Sequence, residues 1–130
     1  MNAKKLFYKE CHLAGRQYHD VDEVWEKLHV GLELKLVRDL DNRHDKDAVA
    51  VVFDDCEAEE EYLLGYVPKA ENSDIAPFLE MGWDRLFSCR ISKINPEAHY
   101  ENQIRLTIRI NRFSAVDYCV APPERPLVSK

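Results

Sequence analysis

RDLDNRHDKDAVAVVF, Arg38–Phe53, decides the fold. Its first ten residues crowd together four aspartates, two arginines, a lysine and a histidine. The chain then turns into Ala48–Phe53, six residues without a polar side chain, the length and composition of a buried strand. Aspartate and asparagine at such a boundary hydrogen-bond nearby backbone N–H groups and set up turns. The charged segment is therefore a loop, and what its charges do beyond folding it is the question.

Working outward, DDCEAEEE (54–61) carries six acids and no base, and without it the net charge of −6 becomes zero. Such a run reads as a solvated hairpin loop, with Tyr62–Val67 returning as the partner strand and Pro68 closing it. Upstream, Leu32, Leu34 and Leu36 alternate with polar or exposed positions as in a half-buried strand, and Leu6–Leu13 is a further strand candidate. Between them, Asp20 or Asp22 is placed to cap a short helix through Val24, Trp25 and Leu28, ended by Gly31. Downstream, Asn72–Gly82 is a helix of about two turns with Pro77 near its start. Trp83–Ile94 and Gln103–Ile110 are strands, and QIRLTIRI puts Ile104, Leu106, Ile108 and Ile110 on a core face with Arg105 and Arg109 on the other.

About six short strands in meander order, with one or two short helices and no β-α-β alternation, predict a mainly β domain over residues 1–110, a small OB- or SH3-like barrel. Residues 111–130, containing PPERP, are expected to be an irregular tail. At 130 residues and 45% hydrophobic content the chain supports one core. No apolar run approaches a membrane span, and no leader is legible, so a cytoplasmic protein is expected.

Several chemistries find no motif. Four glycines provide no phosphate-cradling loop, and Cys11, Cys56, Cys89 and Cys119 are too widely spaced for a zinc knuckle or redox pair. A calcium loop over Asp39, Asp41 and Asp45 fails because Arg43 and Ala50 stand at ligand positions. Asp39, Asp41, His44, Asp45 and Asp47 supply hard ligands for a metal-dependent nuclease, but Arg38, Arg43 and Lys46 among them fit ion pairing better. No cofactor and no catalysis are expected.

Three stretches together resemble the HIRAN domain family: AGRQYHD (14–20), RDLDNRHDKDAVAVVF, and LGYVPKAENSDIAPFL (64–79), in the family's order and spanning about Phe7–Ile110. The resemblance implies a modified OB-like barrel that binds DNA. In eukaryotes such domains sit at the N-terminus of Swi/Snf-type ATPases that remodel stalled forks, where they capture the 3′-hydroxyl end of single-stranded DNA. Standalone bacterial versions exist, and this chain is similar to those, without ATPase or RING portions to carry over. The family's arginine falls on Arg16 and its aromatics on Gln17 and Tyr18; its asparagine and aspartate fall on Asn42 and Asp45, with His44 in place of an aromatic and Asp47 in place of an asparagine. Tyr66 and Lys69 match the third stretch.

Grasping a strand end needs a flat side chain to stack on the last base, cations for its phosphates and an acceptor for the 3′-OH. Tyr18 and His44 suit the first, Arg16, Lys46 and Lys69 the second, Asp45 the third. The competing reading gives Asn42 and Asp45 purely structural duty in the loop. The expected function is binding of single-stranded DNA with a preference for 3′-OH ends, in repair or replication restart, with a separate helicase or nuclease as a candidate partner. The departures at Gln17, His44 and Asp47 leave open a protein-interaction adaptor that has lost the DNA pocket.

Overall fold

The fold is that of a computed structural model, which describes residues 8–111. The six strands are β1 (Tyr8–His12), β2 (Glu33–Arg38), β3 (Val49–Asp55), β4 (Glu60–Tyr66), β5 (Phe87–Ile94) and β6 (Ile104–Ile110). They form one antiparallel sheet in the order β1-β6-β5-β2-β3-β4. Helix α1 (Tyr18–Val24) continues as a 3-10 turn over Trp25–Lys27, and α2 (Ala76–Glu80) lies against β2. Beyond Asn111, the expected irregular tail lies outside the described residues. Among those residues no helix is long and apolar enough to cross a membrane.

Period-2 patterning works as expected in β6, where Ile104, Leu106 and Ile108 are buried and Arg105, Thr107 and Arg109 point outward. Cys89 and Ile91 of β5 and Cys11 of β1 complete the same inner layer. Burial pushes the Cys11 thiol up to about 11 and the Cys89 thiol to about 12, so both behave as small apolar side chains. Helix α1, which packs on β4, brings Val21 and Val24 to the same core and Leu28 joins them after the 3-10 turn, each worth roughly 1.5–3 kcal/mol of apolar burial. Trp25, expected on that face, is only half-buried at its rim.

The expected OB- or SH3-like barrel, closed or partly open, is corrected to a single six-stranded sheet that does not close into a barrel. Two bulges curl it: Leu64 is extra opposite Val51–Val52, and Ser92 is extra opposite Leu106–Arg105. Bulges bend a strand and sharpen its twist, which swings the β1 and β4 edges toward each other. They meet at one isolated bridge, where Ala14 N donates to Tyr66 O (2.8 Å) and Tyr66 N to Ala14 O (2.7 Å). Pairing stops there because Gly15, at φ +56°, turns the chain away into α1. Gly65 makes the approach possible: a Cβ there would lie 2.6 Å from Ala14 O and 2.9 Å from Leu13 Cγ.

Smaller boundaries shift for similar reasons. Neither Asp20 nor Asp22 caps α1, which begins at Tyr18 behind Gln17, whose backbone N is held by Leu64 O at 2.9 Å. Residues Asp84–Leu86 form a 3-10 turn, so β5 starts at Phe87 and not at Trp83. The acidic run is less a loop than expected, since β3 and β4 extend into it and leave a turn at 56–59. Asp54 then faces Glu61 and Asp55 faces Glu60 across the ladder, a like-charge opposition that cations relieve. Lys27 Nζ donates to buried Asp55 Oδ2 at 2.5 Å, and Lys35 Nζ to Glu61 Oε2 at 2.6 Å.

Two outcomes follow from this packing. Gly65→Ala is expected to cost about 1–3 kcal/mol, because the backbone of the seam must move; a denaturation midpoint equal to the parent's would show the seam to be slack. The Asp55 carboxyl is held below its ordinary 3.8, chiefly by the Lys27 hydrogen bond and against its burial. As pH falls the unfolded chain takes the proton first, so this contribution is complete above about 3.8 and lost as pH drops through the lower folded value. Denaturation followed from neutral pH to about pH 3 should therefore be flatter for Lys27→Gln than for the parent, and parallel curves would reject the pairing.

Candidate functional site

The charged stretch between β2 and β3 is a self-bracing loop. Arg38, at the end of β2, donates from Nη1 to Ala48 O (2.9 Å) and Asp39 O (3.3 Å) and from Nη2 to Lys46 O (2.5 Å). Its Nε reaches Glu80 of α2 at 3.2 Å. Asn42 Oδ1 accepts from the backbone N–H groups of His44 (2.8 Å) and Asp45 (3.1 Å), Asp45 Oδ1 from Asp47 N (3.0 Å), and Asp39 Oδ1 from Asp41 N (3.2 Å). The acids supply acceptors for N–H groups that no strand pairs. The same side chains then reach outward.

Tyr66, the last residue of β4, is where the three sequence stretches meet. Its backbone pairs with Ala14, and the Gly15 turn sits against its ring, where a Cβ would lie 3.6 Å from Cδ1. Its hydroxyl donates to Asp39 Oδ2 at 2.9 Å. Burial raises the phenol pKa first, the Asp39 hydrogen bond and charge raise it further, and the Asn42 side chain opposes them. Lys69 Nζ donates to His44 O at 3.4 Å, and the buried Asn72 donates from Nδ2 to Asp45 Oδ2 at 2.7 Å. The loop is thus fastened to the chain that follows β4 at two points and to β4 at one.

Of the residues expected to form a site, His44, Lys46 and Lys69 are exposed around this junction, and Asn42, Asp45 and Tyr66 are half-buried within it. Lys46 pairs with Asp47 at 3.2 Å through a side chain that is 89% exposed. Tyr18 is the first residue of α1, and Gln17, just before it, donates from Nε2 to Gly15 O at 2.8 Å. Arg16 faces a different neighbourhood. It is buried, with Nη2 3.0 Å from Asp22 Oδ1 and its guanidinium carbon 5.8 Å from the Trp25 ring centre and 5.2 Å from that of Tyr100.

Tyr100 is not singled out by sequence, and Trp25, Asp22, Asp39 and Asn72 are named there only for a helix face, a helix cap, a candidate metal-ligand set and a helix start. Tyr100 lies in the β5–β6 connection, which Gln103 braces by donating to Pro96 O (3.1 Å) and Ala98 O (3.3 Å). Nothing local in NPEAHYEN announces an arginine partner, and Asp22, read only as a helix cap, instead accepts from Arg16 six positions before it. The aspartates of the loop do not gather. Among the described residues no three His, Cys, Asp or Glu side chains are grouped to hold a metal ion.

A family model described as HIRAN domain matches residues 6–112. No curated protein and no solved structure matches the chain.

The ties between the loop and the segment after β4 can be measured. Asn72→Ala leaves Asp45 Oδ2 without its buried donor and is expected to cost about 1–3 kcal/mol, with faster amide exchange at Asp47 and Ala48. Exchange as slow as in the parent would mean that the loop holds itself.

Proposed function

Because the chain belongs to the HIRAN domain family, we propose that it is a nucleic-acid-binding module that takes single-stranded DNA, prefers a free 3′-OH end, and acts without catalysis in repair or replication restart. The observation that carries this reading is that the three stretches meet at one junction: Ala14 and Gly15 lie against Tyr66, whose hydroxyl donates to Asp39, and Lys69 and Asn72 hold His44 and Asp45. It supports a site where exposed His44 offers a face for a terminal base and Lys46 and Lys69 offer cations for its phosphates. Asp45 already accepts two hydrogen bonds, and a carboxylate has roughly four lone-pair positions, so capacity for a 3′-hydroxyl remains.

Arg16 takes a supporting part in this reading. Its burial against Trp25 and Tyr100 makes it a strut between α1 and the β5–β6 connection, and Arg16→Ala would disturb the fold as well as any ligand. Asp45→Ala has the same drawback, since it removes acceptors on which the loop depends. His44 and Lys69 are the informative positions.

Fluorescence anisotropy with an oligonucleotide ending in 3′-OH or 3′-phosphate tests the proposal. The free hydroxyl should bind at least about tenfold more tightly, the size of one hydrogen bond to a charged group, because a phosphate would meet Asp45 and Asp39. His44→Ala and Lys69→Gln should each weaken binding while the melting temperature stays put. Equal affinity for the two ends would reduce the site to a general strand groove, and no binding at all, together with DNA-independent capture of a protein, would favour an adaptor.

A further inference from the structure

The outward face of β5 and β6 carries a second organised set of charges. Three rungs cross the pair: Lys93 opposite Arg105, Arg90 opposite Thr107, and Ser88 opposite Arg109. Successive rungs are two residues apart on β6, roughly 7 Å. A shallow groove of about 510 Å3 runs over the same strands, lined by Ser88, Arg90, Ser92, Thr107 and Arg109 among others. Arg90 and Arg105 each have a solvated acid beside them. Glu33 lies 3.8 Å from Arg90 and Glu10 3.7 Å from Arg105, all four side chains are 41–63% exposed, and such solvated pairs exchange readily for another anion.

Two features say what kind of anion. The acidic run sits on the β3–β4 hairpin, separated from β5 by β2 in the sheet order, so Arg90, Lys93, Arg105 and Arg109 are set apart from it. The face is also continuous with the site around Tyr66. His12 pairs with Arg105 across the β1–β6 ladder, and two residues further on Ala14 is bridged to Tyr66. Regularly repeated cations and hydroxyls leading away from that junction suit a regularly repeated anion, the phosphates of a single strand.

We propose that this face is a backbone track: a single strand whose end sits at Tyr66 passes Arg105 and runs along β6 to Arg109, flanked by Lys93 and Arg90 of β5. The track rests on the nucleic-acid reading above and adds to it where the rest of the strand goes.

The test compares a trinucleotide with an oligonucleotide of about fifteen nucleotides, both ending in 3′-OH, by anisotropy from 50 to 200 mM salt. The proteins are the full chain and its Arg90→Gln/Arg105→Gln/Arg109→Gln variant. Each single-strand phosphate contact contributes a salt slope of about 0.7, so three contacts add roughly 2 to the slope for the long ligand and make it lose roughly 20-fold more affinity across that range. The variant should lose this extra slope and the gain in affinity with length, while the trinucleotide binds as it does to the parent. Arg90→Gln and Arg109→Gln alone should each show part of the loss, which keeps the test informative where the triple variant folds poorly.

An unchanged slope for the long ligand overturns the track and leaves the end site standing. A parent that binds neither ligand removes the nucleic-acid reading and the track together. Salt-sensitive self-association abolished by the same substitutions, without any effect on the oligonucleotides, would assign the face to the acidic hairpin of a second copy and overturn the proposal.

Discussion

The close contact of Gly65 with the Ala14 carbonyl and the Leu13 side chain is the constraint on which the rest depends. An open antiparallel sheet of six strands would leave β1 and β4 as free edges. Here the edges are drawn together by two bulges and meet through two hydrogen bonds, at a distance that leaves no room for a Cβ. That single bridge fixes where Tyr66 ends β4 and where Gly15 turns into α1. From Tyr66 the hydroxyl reaches Asp39, and from Gln17 the helix begins over the core. The edge bridge and the junction around Tyr66 therefore share the same residues.

Acidic side chains in this fold act mostly as internal acceptors. Asp39, Asn42 and Asp45 satisfy backbone N–H groups of a loop that has no ladder, and they then reach Tyr66 and Asn72 in tertiary space. The β3–β4 acids follow the same logic with cations in place of amides, Lys27 for Asp55 and Lys35 for Glu61. A buried carboxylate without such partners is costly, so the placement of the donors determines which acids the fold tolerates inside. Asp55 is buried because a 3-10 turn after α1 brings Lys27 to it.

The parts of this architecture legible in the sequence were those with a local cause. Alternation in QIRLTIRI and the apolar run Ala48–Phe53 named β6 and most of β3, and Asn42 and Asp45 announced a braced loop. The start of α1 was missed because its cap is a backbone contact from Gln17 to Leu64, with no side-chain signature. How far the sheet curls and where its edges stop pairing were not legible, because they turn on bulges at Leu64 and Ser92 and on the Gly15 turn, which no pattern of polar and apolar residues marks. Arg16 sits in a loop by sequence, where exposure is the ordinary expectation. Its burial depends on Trp25 and Tyr100, which only the folded chain brings to it.

A net charge of −6 is compatible with binding a polyanion because charge acts locally. From Glu60 to Tyr66 β4 spans six residue steps, about 20 Å, or two Debye lengths at physiological salt, so the acidic hairpin exerts little force on a ligand at the Tyr66 end. Asp39 and Asp45 of the loop are not screened in this way, yet both already accept from N–H donors that offset their charge. What remains is a short-range preference: a hydroxyl can add a hydrogen bond to such a carboxylate, while a phosphate adds only repulsion. In the proposed binding mode, the aspartates that fold the loop would also determine which kind of strand end is accepted.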